Sequence, residues 1–288
     1  MMVPSPTRRQ IAGFVWLVCL FVHSQARAED EVNPPDSAAT PAAVAEPTSA
    51  PPKPLDNYLE SGGSYQDLTD GYGRWTGGYL HGVFKHSDDV WNAEANGQRE
   101  FGDAGAYFAV GDTHTFNQDW YGSLTVGTSV RGFFWPRFRT DGFLNKKWLS
   151  RKQWITTLGY GFYDAKDVHR NHYFSLGSTY YFAKPWIVEE GIYFNLSNPG
   201  TVFAPAGFVA VTEGRNKHQY ITVRAGSGEE AYQLVGPAAT LTQFQSQTLT
   251  ISWRKWVGPN WGLNFVGDYY HNPFYTRGGS SFGLFKEF

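Results

Sequence analysis

The chain has 288 residues, 17% of them aromatic, with 32 glycines, one cysteine and a formal charge of −2. That length allows one large domain or two ordinary ones. The lack of any basic surplus or cluster excludes a nucleic-acid partner, and no 18-residue apolar run follows the N-terminus, which excludes a helical membrane span.

Taken in chain order, residues 1–28 read as a secretory leader. Arg8 and Arg9 form a basic start, "IAGFVWLVCLFV" an apolar middle, and "ARA" supplies small residues for cleavage after Ala28. Cys19 leaves with the leader, so the exported chain is expected to have neither disulfides nor thiolate chemistry. Residues 29–56 are rich in Pro and Ala and carry Glu29, Asp30, Glu31, Asp36, Glu46 and Asp56 against Lys53 alone. This segment is expected to be a disordered acidic linker. Over 57–288 basic and acidic residues are equal in number.

From Asn57 the pattern turns to period two. "WNAEANGQ" (91–98) opposes Trp91, Ala93 and Ala95 to Asn92, Glu94, Asn96 and Gln98. "WYGSLTVGTS" (120–129), "WITTLGYGF" (154–162) and "WGLNFVGDYY" (261–270) alternate in the same way. Such alternation marks strands rather than helices. About fourteen strands can be traced, with twelve as the alternative. Even strands end in short turns such as "HSDD", "SRK" and "EGRN"; most odd strands end in longer loops, the longest predicted over 227–240. Short turns on one rim and long loops on the other are the habit of outer-membrane barrels. A soluble sandwich offers no reason for this, nor for the placement of the tryptophans. Trp91, Trp120, Trp154, Trp186 and Trp261 begin odd strands, and Trp148, Trp253 and Trp256 lie near the ends of even ones. All eight would fall near the short-turn rim, as a girdle with rings in hydrocarbon and N–H groups in the headgroup zone. The predicted fold is therefore all-β: a transmembrane, antiparallel, up-and-down barrel over 57–288.

The last strand, "SSFGLFKEF", alternates Phe282, Leu284 and Phe288 to its end. It resembles the C-terminal assembly signal that the barrel-insertion machinery recognises in bacterial outer-membrane proteins. Three stretches, "LESGGSYQDLTDGYGRW" (59–75), the segment 138–182 with its Gly-Tyr-Gly and Tyr-Tyr-Phe strands, and "FGLFKEF", are similar to the YaiO family of outer-membrane barrels. The resemblance implies a location in the outer membrane of a Gram-negative bacterium, in contact with its lipid. It also implies an association with proteins of surface-polysaccharide synthesis or export. A monomer is expected, with no cofactor.

Parity assigns an inward set that lines the lumen. Its charged members are Glu94, Arg139, Asp141, Lys147, Arg224, Arg254 and Asp268; its tyrosines are Tyr121, Tyr173, Tyr181, Tyr193 and Tyr270. Two readings of this set stand side by side: a salt-bridged plug, or a narrow conduit for a carbohydrate polymer or polar solutes. Lipid or acyl hydrolysis is the enzymatic rival. His172 and Ser175 lie three apart, however, which aims them at opposite faces of a strand. Asp112 and His114 share a face without a further metal ligand. An adhesin would act through 226–240 and the aromatic "RGFFWP" (131–136). Glu190 shares parity with Trp186, Val188 and Ile192, so either a bulge at Glu189–Glu190 shifts the register or Glu190 packs against another protein.

Overall fold

The computed structural model describes residues 57–183 and 185–288; the predicted leader and linker lie outside the described residues. Fourteen strands follow one another. They are β1 (Tyr58–Leu68), β2 (Gly73–His86), β3 (Asp89–Glu100), β4 (Asp103–Thr115), β5 (Trp120–Arg131), β6 (Phe138–Trp148) and β7 (Trp154–Asp164), then β8 (Arg170–Tyr181), β9 (Trp186–Asn198), β10 (Val202–Arg215), β11 (Gln219–Gly236), β12 (Ala239–Gly258), β13 (Trp261–His271) and β14 (Thr276–Glu287). Each pairs antiparallel with the next, and β14 returns to β1 from Tyr58↔Glu287 to Leu68↔Arg277. The sheet is a closed fourteen-stranded barrel, so the twelve-strand alternative falls away.

Alternation decides which side chains face out. On β7, Trp154, Leu158 and Tyr160 are exposed while Ile155 and Gly161 are buried; on β14, Phe282 and Leu284 are exposed while Phe285 is buried. A soluble domain would reverse this, because burying apolar surface away from water is what drives its folding. An apolar outer surface matches a hydrocarbon solvent instead.

Three expectations change. The segment 227–240 is not a loop: β11 and β12 continue through it, pairing Glu230↔Phe244 and Tyr232↔Thr242, and turn only at 237–238. Backbone pairing carries the ladder beyond its neighbours although the alternation of burial lapses here, with Glu230 and Ala231 both buried. No bulge occurs at Glu189–Glu190, where pairing runs unbroken from Ser178↔Glu190 and Thr179↔Glu189 to Val209↔Glu190 and Ala210↔Glu189. Glu190 stays exposed on the outer face while Glu189 turns inward. Trp256 leaves the predicted girdle. It stands three residues from the outward Trp253, hence on the opposite face, and a register shift between Trp256 and Gly258 leaves Val257 outside. Its indole is buried and donates from Nε1 to Glu287 Oε1 at 3.2 Å.

The inner wall stays hollow because large rings lie flat on glycines of the next strand. Tyr173 pairs with Gly161, and a Cβ built on Gly161 would stand 2.0 Å from the Tyr173 ring. Phe208 pairs with Gly191, whose Cβ would meet that ring at 2.4 Å. A larger residue at either site would tip the ring into the lumen.

Two stability predictions follow from this wall. Leu158, 59% exposed on the outer face, tolerates no charge in lipid: Leu158→Arg is expected to lower stability by about 2–4 kcal/mol, read from denaturant unfolding in liposomes. Gly161→Val should lift Tyr173 off the wall and lower stability by about 1–3 kcal/mol, whereas Gly97→Ala, with nothing within 4 Å of its Cβ, should change it far less.

Candidate functional site: the lumen and its outer cap

A cavity of about 540 Å³ occupies the barrel interior. It is lined near the short-turn rim by Tyr58, Ile187, Tyr220 and Trp256, and on the long-loop side by His169, Arg170, Tyr232 and Leu234. Of the inward set read from the sequence, Glu94, Arg139, Asp141, Arg224, Arg254, Asp268, Tyr173 and Tyr193 line this cavity. Tyr270 is fully buried beside it. Lys147 sits over the Tyr121 ring, 5.1 Å from its centroid, and Tyr181 is paired with Ile187 on the inner face; these three lie outside the cavity lining.

The wall charges are held in separate clusters. Arg139 donates from Nε to Asp141 Oδ2 at 2.6 Å and from NH2 to Oδ1 at 3.1 Å, a two-pronged grip suited to guanidinium and carboxylate. The Tyr173 hydroxyl donates to the same carboxylate at 2.6 Å. In a second cluster Arg254 donates from NH1 to Glu60 Oε2 and to Asn264 Oδ1, both at 3.2 Å, with its guanidinium 3.5 Å from the Phe285 ring centroid. Tyr79 completes it, donating to Glu60 Oε1 at 2.9 Å. Both guanidiniums are thus paired and bonded, which buried charges require.

An aromatic cap covers part of the long-loop mouth. Leu68, Trp75, Tyr270 and Tyr275 form one buried cluster with Tyr72 and Phe101 against it. Asn272 Oδ1 accepts the N–H groups of Phe274 and Tyr275, both at 2.8 Å, an Asx turn that aims Tyr275 back over the lumen. The Tyr270 hydroxyl donates to Glu230 Oε1 at 2.7 Å, and the Arg277 guanidinium lies 4.4 Å from the Trp75 ring. A second cluster comes from the β5–β6 loop. Positive φ angles at Arg131 (54°) and Gly132 (60°) turn the chain inward, and Asp103 Oδ2 accepts the Phe133 N–H at 2.9 Å. Trp135 then stacks on Tyr107 with centroids 5.0 Å apart at 14°, while Phe133 stacks on Phe101 at 6.4 Å and joins the two clusters. Lys166, in the β7–β8 loop, donates to the Arg131 carbonyl, and burial holds its ammonium below the ordinary lysine range. The aromatics of 131–136 therefore face the lumen, not an external surface as an adhesin would need.

Seven of the eight girdle tryptophans face outward. Trp120 and Trp148 share the Lys146 ammonium, 5.0 and 3.8 Å from their ring centroids. Phe282, Leu284 and Phe288 are exposed on the outer face, and Phe288 N–H donates to the Asn57 carbonyl at 3.0 Å. His172 faces outward against Tyr160, and Ser175 points inward over Gly159. Asp112 and His114 lie at the short-turn rim, where His114 Nδ1 meets Asp89 Oδ1 at 2.5 Å. Sequence reasoning missed Glu60, Tyr79, Trp75, Trp135 and Glu189, which line the cavity, and Tyr107, which stacks on Trp135. Parity would have found Glu60 on β1 and Tyr79 on β2. It would not have found Trp135, whose orientation comes from a loop.

Solved structures that superpose on this barrel include several channels. The monoaromatic hydrocarbon channel CymD superposes with a TM-score of 0.57 at 8% identity, over 81% of this chain and 88% of that one. A deletion mutant of the monoaromatic hydrocarbon channel TodX gives 0.53 at 9%, over 82% and 91%. The COG4313 outer membrane channel of Pseudomonas putida F1 gives 0.52 at 5%, over 85% and 100%. Identities this low establish a shared fold alone. No curated protein matches the chain. The YaiO membrane beta barrel domain matches residues 56–233, and with these neighbours it points to the bacterial outer membrane. Over most of its barrel, this chain is a member of the YaiO membrane β-barrel family.

Proposed function

We propose that this barrel is a narrow, partly capped channel that passes polar solutes or serves the export of a surface polysaccharide. The observation that carries this reading is the cavity with lining residues at both ends of the barrel, from Tyr58 and Tyr220 to Arg170 and Tyr232. Fourteen strands lie between barrels filled by their own side chains and wide porins, so an interior of this size suits a narrow path. CymD and TodX are hydrocarbon channels by description. The lumen here favours a hydrated cargo instead, because Glu60, Glu94, Glu189, Arg139 and Arg224 line it and desolvating charges against hydrocarbon is unfavourable. The hydrolase reading has less support, since His172 and Ser175 stand on opposite faces of β8. A leader cut after Ala28, recognition of Phe282, Leu284 and Phe288 by the insertion machinery, a monomeric barrel and partners in polysaccharide synthesis or export belong to the same proposal.

Purified full-length protein in planar bilayers tests it. Discrete, small single-channel currents are expected, and replacing Phe133, Phe134 and Trp135 by glycine should raise the unit conductance several-fold by opening the cap. A folded barrel that carries no current with or without these rings would overturn the channel in favour of a plugged structural barrel.

A further inference from the structure

The aromatic clusters of the mouth come mostly from β1–β6 and β13–β14, and the wall of β8–β11 stands across the barrel from β1–β4. That wall carries an arrangement unlike the two paired clusters. Glu189, Ala210 and Arg224 occupy one register row on β9, β10 and β11. Glu189 and Arg224 are therefore separated by two strand spacings, roughly 10 Å at the backbone, with only a methyl group between them. All three line the cavity.

Among the described residues, Glu189 and Arg224 take no salt-bridge partner, and Arg224 NH1 has no acceptor. The guanidinium does not swing across to Glu189 because Phe208 holds it: its Cζ lies 3.5 Å from that ring's centroid. Phe208 in turn lies flat over Gly191, with Tyr193 beside it at 6.1 Å between centroids. An acceptor, a donor and an aromatic flank are thus held apart around a shallow floor.

We propose that this notch is a binding subsite for a neutral sugar unit, seated over Ala210 beside Tyr193, with its hydroxyls bridging Glu189 and Arg224. A pyranose offers donors to the carboxylate and acceptors to the guanidinium on one rigid ring, and its C–H face suits an aromatic neighbour. The acid and the base cancel in formal charge, so neither a uronate nor an ammonium sugar gains from both. Phe208 is a positioning residue that aims Arg224. This assignment rests on the lumen being a path for polar solutes, but it can be tested without current.

Isothermal titration calorimetry of the full-length barrel in detergent, with maltohexaose and cellohexaose as probes, reads binding directly. At least one probe is expected to bind. Glu189→Gln and Arg224→Gln should each weaken it at least tenfold, Ala210→Leu should abolish it by filling the floor, and an oligouronate of equal length should bind at least tenfold more weakly. Heat-modifiable gel mobility verifies that each variant is folded, and Ala210→Leu keeps both charges if either charge variant misfolds. Absence of binding by both neutral probes, equal binding by Ala210→Leu, or tighter binding of the oligouronate would overturn the subsite. Sugar binding by a barrel that carries no current would sink the channel reading and leave the subsite standing.

Discussion

The ladder between β1 and β14 is the contact on which every other feature depends. Hydrocarbon offers no water to backbone N–H and C=O groups, and each unsatisfied group there costs several kcal/mol. An open sheet would expose two such edges; closure removes both at once. The seam is narrow-waisted, pairing Gly62 with Gly283 and Ser64 with Ser281 on the inner side, while Phe282 and Leu284 face out. Tyr79 lies across the glycines of this seam, and its hydroxyl reaches Glu60. Once the ring is closed, period-two alternation has only one meaning: one face meets lipid and the other encloses water and charge.

That meaning was legible in the residues themselves. Strand number and the inward placement of Glu94, Arg139 and Asp141 follow from alternation with no three-dimensional information. The expected contrast between short turns and long loops is weak in the structure, where β11 and β12 turn within two residues. The errors occur where alternation gives no signal or misleads. Depth alone places Trp256 with Trp253, although a three-residue step reverses the face. Residues 227–240 contain Gly, Pro and Ala, which read as loop, yet the neighbouring strand supplies pairing partners. Phe208 lies in "FAPAGFVAV", which is apolar on both faces, so nothing in the sequence distinguishes an inward ring from an outward one. The inward fold of Phe133–Trp135 depends on the turn at Arg131 and Gly132 and on the distant Asp103 carboxylate, a contact across thirty residues.

Inside the barrel, charge is arranged in two ways. Arg139 and Arg254 are locked to carboxylates and tyrosines and act as struts across the wall. Arg224 is propped on an aromatic ring and left apart from Glu189. Struts of the first kind hold the wall, and an unpaired charge of the second kind suits a transient ligand. Glu190 remains outside this division: it is a carboxylate on the outer face between Ser178 and Val209, with no structural feature that explains it.

A cysteine introduced at single positions separates a water-filled barrel from any alternative, since the described residues contain no native cysteine. In liposomes, a water-soluble thiol reagent should label cysteines placed at Thr157, Ser175 and Ser281, while those at Leu158, Leu176 and Phe282 should resist it and be quenched by brominated lipid chains. Labelling of the second group with protection of the first would contradict a barrel whose wet face is its inside.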